Sequence, residues 1–384
     1  MTGSNPRILI LTHCFPSDAA DIPGNFLVDL SRHLTSIGAE VKVITQKMKK
    51  EYDNEFLSQS GATIEYFSWR GGSGRFAKLK LSSLNDILSV FSLISSGRKA
   101  FSNSVNKKDF DLILSCWVIP AGLWSLSFSK RKNTAVWALG SDISVYAKKA
   151  FFRQILKFIL SRTGRIYSNS INHQNEIKKL MNYNAELLYT GRNLPVSLKI
   201  YERSDKLKLL FIGRLEKIKG PDLLISALKG SGIENFELNI IGDGSLRSEL
   251  ESEAEKNNFK NKINFLGEKN ASVIADFLKV SDYLVISSRS ESMPVVFWEA
   301  MQSGTPVLST NVGDIAHYCK KYNVGRTSDP EEKALADLLL FAMNFKPLRE
   351  TLSKNTKKVS ELSSISFSAG KIYNLAKELS EQKK

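Results

Sequence analysis

The chain has 384 residues, enough for two domains, because single cores stop growing at about 250–300 residues. Its apolar fraction of 42% and charged fraction of 24% exclude a disordered or low-complexity protein. No stretch approaches the ~18 consecutive apolar residues of a membrane-spanning helix. Cys14, Cys116 and Cys319 are few, odd in number and far apart, so neither a disulfide framework nor a metal site is expected, and a reducing cytoplasm fits best. The net charge of +15 is unevenly spread. Residues 1–200 carry 27 basic and 14 acidic side chains, which places +13 of the excess there, against 27 and 25 in the remainder. The first half is therefore expected to meet something anionic: a membrane surface, a nucleic acid or a phosphorylated acceptor.

Apolar runs alternate with helical patterns from one end to the other, which predicts parallel βαβ units rather than sandwiches. In the first half the strands are expected at 7–12, 41–45, 63–66, 112–115, 134–139, 164–168 and 186–189, with helices over 25–36, 82–104 and 144–161. The run 8–11 is too short for a signal-peptide core and reads as the first strand. Segment 69–81 (WRGGSGRFAKLKL) joins cations and aromatics to glycine-rich flexibility, and is the stronger candidate for docking to a membrane or acceptor. Segment 146–162 (YAKKAFFRQILKFILSR) is basic, aromatic and helical in period. It suits either a membrane interface or a βαβ helix with solvated lysines, and the second is favoured. Asp109-Phe-Asp111 has D-x-D spacing but leads straight into a strand and reads as a polar approach to it. Residues 190–205 are polar, contain Gly and Pro, lack period, and read as an interdomain linker.

The second half predicts strands at 207–212, 236–241, 262–265, 283–286 and 306–309, with helices starting near 221, 245, 271 and 294. A last helix is expected over 367–379. The loop after the strand at 207–212 holds Arg214 and Lys219 between Gly213 and Gly220. Two fixed cations at a strand's carboxyl end suit a diphosphate and its departure as a leaving group. Segment 287–310 (SSRSESMPVVFWEAMQSGTPVLST) places Glu291 in a loop and Glu299 more than one turn inside a helix whose first turn Pro294 suits. The carboxyl edge of an open α/β sheet is where ligands bind, and free helix N–H groups favour a phosphate. Two acceptor-only carboxylates beside such a site suit a polyhydroxylated ligand such as a nucleotide sugar. Taken singly, each of these charges also suits an ordinary solvated surface. The glycines of 241–244 (IGDG) lack full G-x-G-x-x-G spacing, so a nicotinamide site is not expected.

Glu-x7-Glu followed by A-M-x-S-G-x-P-V resembles the signature of the retaining glycosyltransferases of family 4. Segments 210–220 (LFIGRLEKIKG), 240–246 (IIGDGSL) and 263–267 (INFLG) resemble that family's preceding strands and turns, in its order and with its gaps. The resemblance covers about half the chain. It implies the GT-B fold: two Rossmann-like, doubly wound parallel-sheet domains facing across a cleft. The implied divisions are an acceptor-side domain over 1–189, a linker over 190–205, a nucleotide-sugar domain over 206–364, and a final helix over 365–384 crossing back. Ala369 stands in that helix where a tryptophan is common.

The resemblance also implies roles. Arg214, Lys219 and Glu291 would be catalytic, acting on the diphosphate and the donor sugar. Gly24, Gly213, Gly242, Leu266, Met293, Pro294, Val295 and Glu299 would bind the donor, with Glu299 on the ribose and the base near Gly242 and Leu266. Gly24 lies in an IPGNF turn with one glycine where a pair is usual, and also suits an ordinary turn. Residues 138–143 (ALGSDI) resemble the family's H-G-x-D segment, with Leu139 replacing the histidine and Asp142 the matching aspartate. Trp117 lines the acceptor side or packs in the core. No metal and no cofactor beyond the nucleotide-sugar substrate are implied. The expected function is retaining sugar transfer to a hydroxyl of a glycan or lipid-linked acceptor, in cell-surface polysaccharide or lipopolysaccharide assembly. The expected location is cytoplasmic, at the inner membrane face. A nucleotide-sugar epimerase is the alternative on the same fold; a nucleic-acid-binding protein is a remote one, since no zinc spacing or RNA-binding signature accompanies the charge.

Overall fold

The computed structural model describes residues 5–18, 24–48, 51–71, 83–128, 130–191, 193–202, 204–345, 347–362 and 364–383. The chain divides into two compact units, Met1–Thr190 with Ile365–Lys384, and Gly191–Ser364.

The first unit is a parallel sheet of β1 (Arg7–Leu11), β2 (Glu40–Gln46), β3 (Thr63–Phe67), β4 (Leu112–Cys116), β5 (Thr134–Ala138), β6 (Arg165–Ser168) and β7 (Glu186–Leu187), ordered β3-β2-β1-β4-β5-β6-β7. The helices are α1 (Asn25–Ser36), α2 (Asn54–Ser58), α3 (Leu84–Lys107), α4 (Ala121–Ser125), α5 (Ser141–Ser144), α6 (Ala150–Leu160) and α7 (Ile171–Met181). The strands are apolar on both sides because helices cover both faces. Ile8, Ile10, Leu112, Leu114, Ala135 and Trp137 point to the face covered by α1 and by α15 (Ile365–Glu381). Leu9, Leu11 and Ile113 point the other way, into a cluster with α3 and α4, and Val136 and Ala138 into one with α6 and α7. Between α5 and α6 the extended backbone of Lys149 (φ −98°, ψ 122°) interrupts what the sequence suggests is one helix over 144–161.

The C-terminal helix α15 belongs to this first unit. Ser368 Oγ donates to the Tyr189 carbonyl at 2.8 Å. Beyond the helix, Lys383 Nζ reaches Asp109 Oδ2 at 2.9 Å and Asp111 Oδ1 at 2.8 Å. The D-x-D triplet is thus spent on a lysine that fastens the chain end to the start of β4. The hydrogen bond from Lys383 is the main reason the Asp109 carboxyl sits below its ordinary range.

In the second unit the order is β10-β9-β8-β11-β12-β13, all parallel: β8 (Leu207–Ile212), β9 (Phe236–Ile241), β10 (Ile263–Gly267), β11 (Tyr283–Ile286), β12 (Val307–Thr310) and β13 (Gly325–Ser328). The helices are α8 (Pro221–Ser231), α9 (Arg247–Lys256), α10 (Ala271–Val280), α11 (Val295–Ser303), α12 (Ile315–Tyr322), α13 (Glu332–Asn344) and α14 (Pro347–Leu362). β13 (GRTS) has no apolar residue to announce it and exists through its pairing with β12. The stretch 190–205, which reads as a linker, is tied to this unit. Leu194 N donates to Gln302 Oε1 at 3.1 Å, Ser197 Oγ to Asp276 Oδ1 at 2.5 Å, and Tyr201 OH to Asp282. The Arg349 guanidinium lies 3.4 Å from the Tyr201 ring centroid. No helix among the described residues is long and apolar enough to cross a membrane.

Ala369 is fully buried in the cluster shared by α1 and α15. Inserting an indole there overfills a closed core, so Ala369→Trp is expected to destabilise the protein by about 1–3 kcal/mol in denaturant unfolding.

Candidate functional site

Both sheets share one winding: the second and third strands lie to one side of the first strand, and the fourth returns to its other side. The two loops that leave the strands flanking this reversal diverge, one to each face of the sheet. The opening between them at the carboxyl edge is where doubly wound folds place ligands. In the second unit the reversal falls between β8 and β11, and the loops after these strands carry the sequence-predicted cations and acids.

After β8, Gly213 and Arg214 lead through a single 3₁₀ turn (Lys217–Lys219) to Gly220 and α8. Gly220 has φ 65°, and a Cβ there would stand 2.0 Å from the Ser287 carbonyl oxygen. Only glycine satisfies both the left-handed backbone and that approach. Pro221 opens α8, where its missing N–H is harmless. After β11, Ser287 Oγ donates to the Gly220 carbonyl at 2.7 Å, and Arg289 N to the Ile218 carbonyl at 2.8 Å. The Arg289 guanidinium grips Asp222 with two bonds of 2.8 Å and also donates to the Lys217 carbonyl. The two loops are thereby fixed to each other.

This fixing brings Lys219 and Glu291, 72 residues apart, into an ion pair. Ser288 Oγ donates to the same Glu291 oxygen at 3.0 Å. Both charged side chains are largely covered, at 25% and 13% exposure, so their interaction is less screened than a surface pair. Arg214 lies exposed in the same loop as Lys219. A third loop, after β12, closes in from beyond β11. Gly313, at φ 57°, has no room for a Cβ, which would meet the Ser292 carbonyl oxygen at 2.0 Å, and Asp314 N donates to that oxygen at 3.0 Å.

Helix α11 begins at Val295, with Pro294 as its N-cap (φ −72°, ψ 137°), one residue earlier than a first-turn proline. Proline offers no side-chain acceptor, so the first-turn N–H groups have no side-chain cap. Met293 packs beneath this turn, buried, and Glu299 is buried one turn further on. On the far side of β8, Gly242 (φ 134°) accommodates the Gly213 carbonyl, which a Cβ would meet at 2.0 Å. Gly242 N donates to the Gly267 carbonyl at 3.0 Å across a register irregularity in β10 that includes Leu266. Arg214, Lys219, Glu291, Gly213, Gly242, Leu266, Met293, Pro294, Val295 and Glu299 therefore all stand at one end of one sheet.

The acceptor-side candidates Trp117 and Asp142, and the donor-side candidate Gly24, belong to the first unit, whose reversal lies between β1 and β4. Gly24 (φ 82°) precedes α1, and its missing Cβ makes room for the Cys14 carbonyl oxygen, which a side chain would meet at 1.9 Å. Ile22 and Pro23 of the same turn lie outside the described residues. Trp117 follows β4 at φ 68°, a costly conformation for a bulky residue. It is half-buried, edge-on to His13 at 5.0 Å. Trp117 thus packs against His13 and Phe26 where the chain leaves β4. Asp142 is buried, and its carboxylate accepts from the N–H groups of Val118, Gly140 and Ile143 at 2.8–3.2 Å. It is thus a tie between the loops after β4 and β5. Burial raises its carboxyl, partly offset by those donors. Of the 69–81 segment, Trp69 is buried in the cluster under α3; 72–81 lie outside the described residues.

Three positioning residues were not anticipated from sequence: Arg289, Asp222 and Gly313. Arg289 sits inside the very segment that drew notice for its acids, but nothing in one dimension names a partner 67 positions away. His13 was also passed over. Burial lowers its imidazole to about 4, so it is neutral near pH 7.

With this geometry in view, comparison with known proteins is informative. Residues 197–359 match the family of Glycosyl transferases group 1. An uncharacterized glycosyltransferase of Methanocaldococcus jannaschii is 29% identical over 268 residues, 68% of this chain and 74% of the relative. The crystal structure of HepE from Anabaena in complex with UDP and glucose shares the fold, with a TM-score of 0.69 and 17% identity over 96% of this chain and 99% of that one. The chain has the GT-B fold, and its second unit carries a domain of the group 1 family. The lipopolysaccharide glucosyltransferase WaaG of Escherichia coli is a further relative, 28% identical over 177 residues, 44% of this chain and 46% of WaaG.

Asp222 tests the loop clamp. Burial raises its carboxyl, and the bonds and charges of Arg289 and Lys217 outweigh burial, leaving it below its ordinary range. A depressed carboxyl stabilises the fold fully above its unfolded value and loses that contribution as pH falls through the folded value. Arg289→Ala is expected to cost about 1–2 kcal/mol at neutral pH. The stability gap between variant and wild type should also shrink as pH falls through the folded Asp222 value, because the variant lacks most of that acid-labile contribution, as read from denaturant unfolding across a pH series.

Proposed function

We propose that this protein is a retaining glycosyltransferase of family 4, which takes a nucleotide-diphosphate sugar at the carboxyl edge of its second sheet and transfers the sugar to a hydroxyl of a glycan or lipid-linked acceptor. The observation that carries the reading is the Lys219–Glu291 pair held at the sheet's reversal beside the start of α11. A diphosphate competes with Glu291 for Lys219. When it arrives, Lys219 and Arg214 neutralise it together with the first-turn N–H groups of α11, and so stabilise the leaving group as the glycosidic bond breaks. Glu291, released from the lysine but still bound by Ser288, is then available as an acceptor for hydroxyls of the donor sugar. Glu299 takes the ribose hydroxyls, and the base lies by Gly242 and Leu266. In this reading Gly24 and Trp117 of the first unit meet donor and acceptor, and Asp142 shapes the acceptor loop. The chemistry uses these residues without a metal. The complex of HepE with UDP and glucose supports a nucleotide-sugar donor. The likeness to WaaG supports work in lipopolysaccharide or other surface-polysaccharide assembly, which this reading places on the cytoplasmic side of a membrane.

A thermal-shift screen of nucleotide sugars should find one that raises the melting temperature, and product analysis should then show sugar transferred to, or hydrolysed from, that donor. Lys219→Ala and Glu299→Ala should each lower turnover by about a hundredfold or more while leaving the unliganded melting temperature near that of wild type. Full activity in both variants overturns the site assignment. An epimerised donor in place of transfer overturns the reaction.

A further inference from the structure

We propose that the layer of α3, α4 and α6 docks the first unit on an anionic lipid surface, an inference that stands apart from how the second unit handles its donor. The register of the sheet puts these helices on one face. Leu9 is paired with Ile113, and Ser115 with Val136. Leu9 and Ile113 pack with α3, Ser115 Oγ meets Ser125 Oγ of α4 at 3.1 Å, and Val136 packs with α6. The three helices therefore turn their backs to solvent in a common direction, opposite the face that α1 and α15 cover.

Those backs are not polar. On α3, Leu84, Leu88 and Phe91 recur at the i, i+4, i+7 spacing of one helical stripe, and Phe91 is 67% exposed. On α6, Phe151 and Phe158 share a stripe, and Phe151 is 72% exposed. The fold does not need them there, because Leu156, Ile159 and Leu160 already form the buried side of α6. Among the described residues of the first unit, Ile37 and Phe367 are the only exposed large apolar side chains outside this layer and the Val145 turn leading into α6. The same layer carries exposed cations: Arg98 and Lys99 on α3, and Lys148, Lys149, Arg153 and Lys157 in and before α6. Asp86 is the one acidic residue in 83–107 and 145–165 taken together. The Arg162 guanidinium lies 3.7 Å from the Phe158 ring centroid, so a cation borders the apolar stripe directly.

Exposed aromatic and leucine side chains among cations, with almost no acid, match the boundary between anionic headgroups and acyl chains: the rings enter the boundary and the cations meet the headgroups. A second copy of the chain fits poorly, since two such faces repel each other. A nucleic acid would satisfy the cations but leave the stripes of Leu84, Leu88 and Phe151 without a partner. Part of the charge excess in residues 1–200 thus acquires a place and a direction. Of the two segments singled out in sequence, α6 carries this surface; Trp69 of the other is core, and its residues 72–81 lie outside the described residues.

The test is flotation of the full chain with phosphatidylcholine vesicles, with and without about a third phosphatidylglycerol. Wild type should bind the anionic vesicles, release with salt, and ignore the neutral ones. The triple variant Phe91→Ser, Phe151→Ser, Phe158→Ser and the quadruple variant Lys148→Gln, Lys149→Gln, Arg153→Gln, Lys157→Gln should each bind at least about tenfold more weakly. Melting temperature and any stabilisation by a nucleotide sugar should be unchanged in both, which separates loss of docking from loss of fold or donor site. Absence of anionic-vesicle binding by wild type, or equal binding by the variants, overturns the proposal. So does a wild-type dimer that the serine variant dissolves without any vesicle binding, or salt-sensitive binding to an oligonucleotide in place of lipid.

Discussion

Lys219 and Glu291 are held against each other at the one place where the second sheet reverses its winding, and the surrounding loops are organised around that contact. Strands β8 and β11 are neighbours because the chain returns across its own first strand, so two loops far apart in sequence must meet at the carboxyl edge. Meeting alone would leave them loose. Arg289 on Asp222, Ser287 on the Gly220 carbonyl and Arg289 N on the Ile218 carbonyl lock them, and Gly220 and Gly313 allow backbone approaches that any side chain would block. In the proposed reading an ion pair so held suits ligand exchange: the lysine is positioned and mostly desolvated in advance, which would lower the cost of organising the site during the reaction.

The first unit repeats the reversal with different contents. Its edge offers a neutral His13, the half-buried Trp117 in a left-handed conformation, and an Asp142 whose carboxylate is consumed by three backbone N–H groups. Charge there is low at the edge and high on a face, where α3 and α6 combine exposed rings with lysines and arginines. The two units thus separate their electrostatic work: paired and buried charge in the second, exposed and unbalanced charge in the first.

Much of this was legible in the sequence, for identifiable reasons. Strands buried on both faces are continuous apolar runs, so β1, β4, β8, β9 and β11 declare themselves; β13 does not, because pairing rather than composition makes it. Arg214, Lys219, Glu291 and Glu299 were singled out because they lie in the loops after such strands or in the helix that follows one. Arg289 and Asp222 were not, since their meaning is a contact between distant loops. Asp142 was recognised as a position in a motif but not as a loop tie, because hydrogen bonds to backbone leave no trace in residue type. The stretch 190–205 looked unstructured for want of periodicity, yet single polar contacts from Leu194, Ser197 and Tyr201 hold it to the second unit.

The central claim is that a diphosphate is gripped by the loop after β8 and the start of α11. Hydrogen–deuterium exchange of the full chain, with and without the nucleotide sugar that stabilises it, addresses this directly. The account predicts slowed exchange concentrated in residues 213–220 and 291–297. Protection confined to the first unit, or to segments away from the carboxyl edge of the second sheet, would contradict it.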